Sequence, residues 1–505
     1  MSGGVAVDPH RVCQPRVSSR IPDLTATNPD TAVASDNEMV MSRSETSGMA
    51  GTWPLFVGLG LLMVGNGLNG AIIGVRSATE GFSVAVTGVI MAGFFAGFLL
   101  APSVVIKMLP TVGHIRVFAG LASTASSAVL VHAVAVFPIS WILMRFVFGF
   151  CVAGLYIVIE SWLAEMSTPA NRGRTMAIYM IVWLGGLGAG QYLIALADPN
   201  SFRLFVVSSV LVSMSLVPIT LAATSKAPSV VAPDKVTVRE LIRIVPTGVV
   251  GSFMGGVSVG IVLGLGAVYA TAIDLTIERT AVFLVSPMIG AVVLQWPIGR
   301  LSDKISRRTV IFFVALSAVA VSGTLILVPA HSVMVPGLMA LLGGTMFPLY
   351  SLIVSYTIDW VPESKTTGAA AKLIGINGAG AFVGPLVTAP LMSIFGPSSF
   401  FWCITAAFGV IVGYVSWRLA FKDAMPRERQ KTFVPFPARA GYLAMAMAAK
   451  PVRKSTRTTT GKPVPTRRDS TNGVERHPAS PIAERDTSPS EIFDGPAPTS
   501  PLDGD

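Results

Sequence analysis

The sequence predicts an all-α membrane protein with twelve transmembrane helices, and three observations lead to that fold class. Only 13% of the 505 residues are charged, whereas a soluble domain carries about a quarter. The mean hydropathy is +0.65, and the apolar stretches reach about 20 residues, enough to cross a hydrocarbon core of ~30 Å. Their backbone polar groups need partners within the chain, and the stretches lack the alternation of β-barrel strands, so helices are expected.

Twelve such stretches follow one another along the chain, separated by short charged islands. They cover residues 53–76, 84–108, 115–137, 139–163, 173–197, 202–224, 245–273, 279–300, 308–329, 333–358, 367–395 and 399–421.

The basic residues are distributed unequally over the two sides of such a bundle. One side holds Lys107, Arg116, Arg172, Arg174, Lys226, Lys235, Arg239, Arg243, Arg300, Lys304, Arg307, Arg308 and Lys365, and the other holds Arg76, Arg203 and Arg279. Because basic loops stay in the cytoplasm, we expect a multi-pass protein of the cytoplasmic membrane with both termini inside. The net charge of +10 is then explained by topology and does not indicate nucleic-acid binding.

Five segments are predicted. Residues 1–50 and 422–505 are polar tails expected to be disordered. Residues 51–224 and 245–421 form two six-helix units, and residues 225–244 form a cytoplasmic linker. Three cysteines and five histidines show no metal-ligand spacing, so no metal or cofactor is expected.

The two units show a weak internal repeat. A shift of 195 residues places Arg145 and Gly149 on Ala340 and Gly344. Glycines precede Gln191 in the fifth stretch and Pro385 in the eleventh. A duplicated six-helix unit leaves this kind of trace, with a binding site at the interface between the halves.

Residues 299–308 carry the strongest motif, predicted as a charged loop between the eighth and ninth helices. The sequence Gly-Arg-Leu-Ser-Asp-Lys-Ile-Ser-Arg-Arg places Gly299, Arg300, Asp303, Lys304, Arg307 and Arg308 in a pattern that resembles the loop signature of the major facilitator superfamily. The counterpart after the second helix is degenerate, since Pro102 stands near the acidic position.

The resemblance covers residues 51–421. Arg145 and Gly149 match the Arg-x-x-x-Gly pattern of the fourth helix; Glu160-Ser-Trp-Leu, Arg172-Gly-Arg174 and Asp359-Trp-Val-Pro-Glu363 follow it, and the whole is similar to a little-characterised bacterial branch. The resemblance implies two pseudo-symmetric six-helix bundles around a central cavity and a functional monomer.

Arg145 is the main candidate for transport chemistry. A cation at that depth in the membrane needs protein or water around it, and the resemblance places it in or beside the central cavity. The alternative is that its side chain extends to the membrane interface or binds a helix-end carbonyl.

Two ion-pair latches are predicted at the charged side. Asp303 is expected to pair with Arg300, Lys304, Arg307 or Arg308, and Glu160 with Arg116, Arg172 or Arg174. Such contacts can break and reform as the halves move. The alternative is that these charges only set topology. Asp359 joins Glu160 and Glu80 as a candidate proton-binding group.

Polar residues within the stretches are candidate substrate contacts: Asn66, Asn69, Gln191, Gln295, Tyr350 and Asn377. The alternative for each is a hydrogen bond between helices. Gly256-Val-Ser258-Val-Gly260 fits the hydrolase elbow, but it lies in a glycine-rich apolar helix, where small residues serve packing.

The predicted function is secondary transport of a small organic solute by rocking alternating access, with protons as the candidate coupling ion and facilitated diffusion as the alternative. A glycine run in the fifth helix resembles the antiporter element and favours export, although Gln191 stands where proline is usual. The rival functions are a transporter-fold sensor or scaffold acting through the carboxyl tail, and a membrane enzyme, which no nucleophile or metal motif supports.

Overall fold

The computed structural model describes residues 52–167, 171–222 and 236–421, together with Gly3. The predictions for residues 1–50 and 422–505 lie outside this part of the chain. Twelve of the helices in it are long and apolar enough to span a membrane. The first half contains α1 (Trp53–Thr79), α2 (Val84–Val112), α3 (His114–Val134), α4 (Pro138–Met166), α5 (Arg172–Tyr192) and α6, which runs as Arg203–Met214 and Leu216–Ala222.

The second half contains α7 (Pro246–Ala272), α8 (Ile277–Lys304), α9 (Arg307–Leu327), α10 (Met334–Trp360), α11 (Thr366–Phe395) and α12 (Ser399–Phe421). A short linker helix, Val238–Ile244, precedes α7. The twelve predicted spans are therefore confirmed, with boundaries that differ by a few residues.

Local sequence explains several of the helix ends. The Ser83 hydroxyl accepts a hydrogen bond from Val86 N at the start of α2, and Thr276 does the same for Arg279 N at the start of α8. The α2–α3 connection is the single residue Gly113, whose φ of +90° is open to glycine but disfavoured for other residues. This connection therefore reverses the chain within one residue.

One correction concerns the motif at residues 299–308, which was predicted as a loop. Helix α8 continues to Lys304 and α9 begins at Arg307, so that only Ile305 and Ser306 connect them. Gly299, Arg300, Asp303 and Lys304 thus belong to the last turns of α8. The prediction was wrong because a dense run of charges is typical of a loop between membrane helices. Charged residues such as lysine and arginine also have good helix propensity, so the helix continues beyond the apolar core.

The two halves pack in the same way. In the first half α2 packs on α4 and α1 packs on α5. In the second half α8 packs on α10 and α7 packs on α11 in the same way. Ser126 on α3 and Ser209 on α6 form a 2.7 Å hydroxyl hydrogen bond, and Ser322 on α9 with Thr405 on α12 form one of 2.8 Å. Both pairs are 83 residues apart, which is what two copies of one six-helix unit would produce.

At α4 and α10 the packing differs from the predicted repeat register by one residue. Gly149 lies against the backbone of Phe94, and the glycine that lies in the same way on the backbone of Pro287 is Gly343. The offset from Gly149 to Gly343 is 194 residues, so Gly344 is not the equivalent of Gly149. The hydroxyl pairs give an offset of 196 residues, from Ser126 to Ser322 and from Ser209 to Thr405. No single shift therefore relates the two halves.

Gly256 and Gly260 confirm the packing interpretation of the Gly-Val-Ser-Val-Gly run. Side chains at these positions would collide with the backbone of Asn377 and Ala381 on α11. Ser258 between them is buried and donates a hydrogen bond to Met254 O at 3.2 Å. The run is therefore a helix–helix contact surface, as small residues in membrane helices commonly are.

Candidate substrate pathway and charged gate

The site around Arg145 is built at the crossing of α2 and α4. Gly149 allows the backbone of α2 at Phe94 to approach α4 closely, and Gly97 on α2 does the same against Phe146. Arg145 stands one turn before Gly149, so the tight crossing holds its side chain beside α2. The Arg-x-x-x-Gly pattern thus combines a close helix crossing with a cation next to it.

The Arg145 side chain points inward and is only 4% exposed. Its Nη1 donates a 2.8 Å hydrogen bond to Asn69 Oδ1 on α1, and its guanidinium carbon lies 4.9 Å from the ring centre of Phe94. A charge-assisted hydrogen bond and a cation–π contact both lower the cost of a cation within the membrane. The structure thus joins two of the predicted site residues, Arg145 and Asn69, and does not place Arg145 at the membrane interface.

The remaining predicted pathway residues are all buried. Asn377 on α11 donates a 3.0 Å hydrogen bond to Ser252 O on α7, which is an interhelical contact. Polar atoms of Gln191, Gln295 and Tyr350 have no hydrogen-bond partner within the described residues. Asn66 is 6% exposed. Their role in binding stays a prediction.

A charged cluster at the ends of α8, α9 and α10 forms the second part of the site. Arg307 at the start of α9 is 1% exposed and is hydrogen-bonded to the Asp359 carboxylate on α10 and to Ser355 O at 3.2 Å. The carboxylate of Asp303 on α8 lies 3.9 Å from Arg307 Nη2. One buried arginine therefore links the ends of three helices.

The partners in this cluster differ in exposure. The Asp359 side chain is 2% exposed and that of Asp303 is 38% exposed. A buried ion pair is held strongly because separating it would leave a buried charge, whereas an exposed pair contributes little. Arg307–Asp359 is thus the buried pair of this cluster, and Asp303 is its more exposed member.

Glu160 at the corresponding end of α4 is fully buried. Its Oε1 accepts a 2.7 Å hydrogen bond from the Tyr179 hydroxyl on α5. The predicted ion pair of Glu160 with Arg116, Arg172 or Arg174 stays a prediction, and the side chain of Arg172 lies outside the described residues. A hydroxyl group can donate a hydrogen bond to an ionised carboxylate or accept one from a protonated carboxyl group, so it is compatible with both forms.

Sequence reasoning missed several residues of this site. Trp296 supports Arg300, whose guanidinium carbon lies 3.6 Å from the centre of its ring; the spacing of four residues on one helix could have revealed that pair. Tyr179 and Phe94 reach Glu160 and Arg145 from other helices, and no local pattern indicates such contacts. Lys365 Nζ lies 2.7 Å from Glu240 Oε1 of the linker helix, across 125 residues.

The halves contact each other away from the charged side. We call the side of the α2–α3, α4–α5, α8–α9 and α10–α11 connections the charged-loop side. A side chain on Gly74 would collide with Ala267, and one on Gly88 would collide with Ala389, both toward the opposite side. Gly188 on α5 faces Met288 on α8 there as well. Nearer the charged-loop side, α5 and α8 are separated by a cleft.

This combination of twelve membrane-spanning helices, a repeated six-helix unit and a cleft between the halves defines the chain as a secondary transporter rather than an enzyme. Known proteins agree with that class. The sequence model of the Major Facilitator Superfamily matches residues 248–460. The uncharacterized MFS-type transporter YE1530 of Yersinia enterocolitica is 25% identical over 357 residues, which is 70% of this chain and 88% of that protein.

Further relatives and solved structures support the assignment. The uncharacterized MFS-type transporter YcaD of Escherichia coli is 26% identical over 69% of this chain and 90% of its own length. The nucleoside transporter NupG has the same fold with a TM-score of 0.62 at 11% identity, over 74% of this chain and all of NupG. A bacterial homolog of the human lysosomal transporter Spinster gives a TM-score of 0.58 at 13% identity, over 73% and 95% of the two chains. The chain is thus similar in sequence to MFS-type transporters and has the fold of solved transporters such as NupG.

Proposed function

We propose that this protein exports a small organic solute across the cytoplasmic membrane by rocking alternating access, driven by protons. The observation that carries the proposal is the relation between α5 and α8. They meet at Gly188 and Met288 and are separated by a cleft toward the charged-loop side. A rocking motion of residues 51–224 against residues 245–421 about the linker 225–244 would close this cleft and open the opposite side.

The distribution of basic residues supports the orientation. The charged-loop side carries most of the lysines and arginines of the connections, so it faces the cytoplasm under the positive-inside rule. The cleft is then the cytoplasmic opening, and both termini are cytoplasmic. A solute entering there and leaving on the opposite side would be exported.

Arg145, Asn69 and Glu160 support the coupling part of the proposal. Arg145 is the cation nearest the middle of α4, and Asn69 fixes its side chain. Glu160 is buried on the same helix, toward the charged-loop side. A carboxyl group that is buried in one conformation and reaches water in the other takes up and releases a proton as the halves move. The solute would bind between the halves, near Arg145.

Two cysteine pairs on α5 and α8 test the motion in a variant whose native Cys13, Cys151 and Cys403 are replaced by serine. Gly188→Cys with Met288→Cys locks the observed conformation, because a side-chain carbon built on Gly188 lies 3.2 Å from Met288 Cβ. Ala177→Cys with Gly299→Cys, on opposite walls of the cleft, locks the closed one.

We expect each oxidised pair to stop solute flux in proteoliposomes and a reductant to restore it. Each single cysteine variant is the control and should transport. Crosslinking of both pairs without loss of flux would contradict alternating access. Solute binding without flux in the reduced protein would favour the sensor interpretation.

A further inference from the structure

The separated faces of α5 and α8 enclose a cavity of about 440 Å³. The lining runs from Gly173 to Leu184 on α5 and from Val292 to Asp303 on α8. On each helix the lining residues recur at three- and four-residue intervals, so they form one stripe that continues the contact at Gly188 and Met288. We call this cavity the α5–α8 cleft. Its volume is in the range of cavities that hold small organic molecules.

Most of the wall is apolar. Ile181 on α5 and Trp296 on α8 line opposite walls as exposed side chains, 57% and 64% exposed, and Leu184 is buried between the helices. Apolar walls suit an acyl or aromatic group, but lipid chains would satisfy them equally. The specificity of the cleft therefore depends on its polar groups.

Gln295 is the polar group inside the cleft. The residue is 8% exposed, and its amide nitrogen has no hydrogen-bond partner in the described part of the chain. A buried amide donor without an acceptor is unfavourable. If the Gln295 side chain turns toward the cleft, an oxygen acceptor on a bound molecule satisfies this donor, which a lipid chain cannot do.

Arg300 supplies a cation at the mouth of the cleft. Its guanidinium carbon lies 3.6 Å from the ring centre of Trp296, and stacking uses the face of the guanidinium while its N–H donors point along its edges. Asp303 also lines the mouth, but its carboxylate lies 3.9 Å from the buried Arg307. Arg300 is therefore the lining residue at the mouth that can donate hydrogen bonds to an anionic ligand.

We propose that the α5–α8 cleft binds an amphipathic organic anion. Its apolar chain lies along Ile181 and Trp296, and its oxygen acceptors meet the Gln295 amide and the Arg300 guanidinium. This inference rests on the proposed function, because it assigns the class of solute that enters from the charged-loop side. The cleft exists while that side is open, so such a ligand also stabilises the open conformation.

Photolabelling tests the site without measuring transport. Purified full-length protein in nanodiscs is labelled with a long-chain fatty acid that carries a diazirine, and the modified peptides are mapped by mass spectrometry. Dodecanoate and the neutral dodecanol are the competitors. We expect label on residues 173–184 and 292–303, competition by dodecanoate, and labelling lowered about tenfold in both Gln295→Leu and Arg300→Gln.

Arg279→Gln is the matched control, since Arg279 lies at the other end of α8 and donates to His331 O at 3.3 Å. It should label as the wild type does. Ala177→Trp fills the cleft and should block labelling even where a polar variant folds poorly. Label spread evenly over the outer helix faces, equal competition by dodecanol, or full labelling of both polar variants would overturn the inference. Loss of flux with labelling intact would instead count against the proposed transport.

Discussion

Arg145 and Asn69 are joined by a 2.8 Å hydrogen bond that connects α4 to α1 inside the first six-helix unit. The same guanidinium lies against Phe94 of α2. Three helices of one half therefore meet at a single buried cation. An arginine held from two directions has a fixed position, and a small movement of α1 or α2 changes its surroundings. This relationship makes Arg145 and Asn69 the first residues to test.

Arg145→Ala should abolish solute flux, and Asn69→Ala should lower it about tenfold, which corresponds to ~1.4 kcal/mol for a hydrogen bond to a charged group. Arg145→Lys should not restore flux, because lysine lacks the planar fork of donors. Flux in proteoliposomes is compared at equal amounts of monodisperse protein.

Arg239→Ala on the exposed face of the linker helix is the control for removal of an arginine, and it should transport normally. Wild-type flux in Arg145→Ala would show that the buried cation serves packing alone.

Asp359→Ala should destabilise the protein by about 3–5 kcal/mol, because Arg307 would keep a buried charge whose closest carboxylate is gone. Asp303→Ala should cost about 1 kcal/mol or less, since Asp303 is 38% exposed and 3.9 Å away. Thermal unfolding of both variants in detergent compares them directly.

The double variant Arg307→Met with Asp359→Leu should recover part of the stability lost in Asp359→Ala, because it removes both charges together. Equal melting temperatures for Asp303→Ala and Asp359→Ala would show that burial does not distinguish the two carboxylates.

Glu160→Gln should separate solute movement from proton movement. A neutral amide keeps the size of the carboxyl group and can accept the hydrogen bond from Tyr179, but it cannot bind and release a proton. We therefore expect uphill, pH-driven flux to be lost while exchange of labelled for unlabelled solute continues.

Tyr179→Phe is the matched variant that removes the hydrogen bond and leaves the carboxyl group. It should keep pH-driven flux and shift its pH profile. If Glu160→Gln still accumulates solute against a gradient, another group carries the proton.

The Glu240–Lys365 pair gives a pH-dependent attachment of the linker helix. The hydrogen bond and charge of Lys365 lower the pKa of Glu240 from its ordinary value of 4.5. A lowered folded-state pKa means that the attachment is fully present above about 4.5 and is lost as the pH falls through the lowered value.

Limited trypsin digestion at pH 8 should cut after Arg239 faster in Glu240→Gln than in the wild type. Lys365→Gln should be cut as fast as Glu240→Gln. A digestion with pepsin below the lowered pKa should no longer distinguish Glu240→Gln from wild type. The same rate of cutting in all three proteins at pH 8 would show that the pair does not hold the linker helix.

Sequence patterns predicted the class of the fold and some of its chemistry. The lengths and hydropathy of the apolar stretches gave all twelve spans, because crossing a bilayer imposes a length and satisfied backbone hydrogen bonds on each span independently of its neighbours. The motif around Asp303 and Arg307 indicated an ion-pair cluster, because a lone acidic residue among several basic ones has no role in setting topology. Its extent was misjudged, since α8 continues through the charged residues to Lys304.

The contacts between helices could not be predicted in this way. Nothing local relates Glu160 to Tyr179, or Arg145 to Asn69, 76 residues apart. The predicted shift of 195 residues also fits no pair of helices: the offset is 194 from Gly149 to Gly343 and 196 from Ser126 to Ser322.

The sequence alone determined that this chain is a twelve-helix membrane protein with charged ends on one side, because hydropathy and charge act on each segment separately. The tertiary structure decided which buried polar groups meet and where α5 and α8 separate. It also decided which of the two carboxylates near Arg307, Asp303 or Asp359, is buried. Those features depend on how side chains of distant helices fit together, and close packing sets that fit for the molecule as a whole.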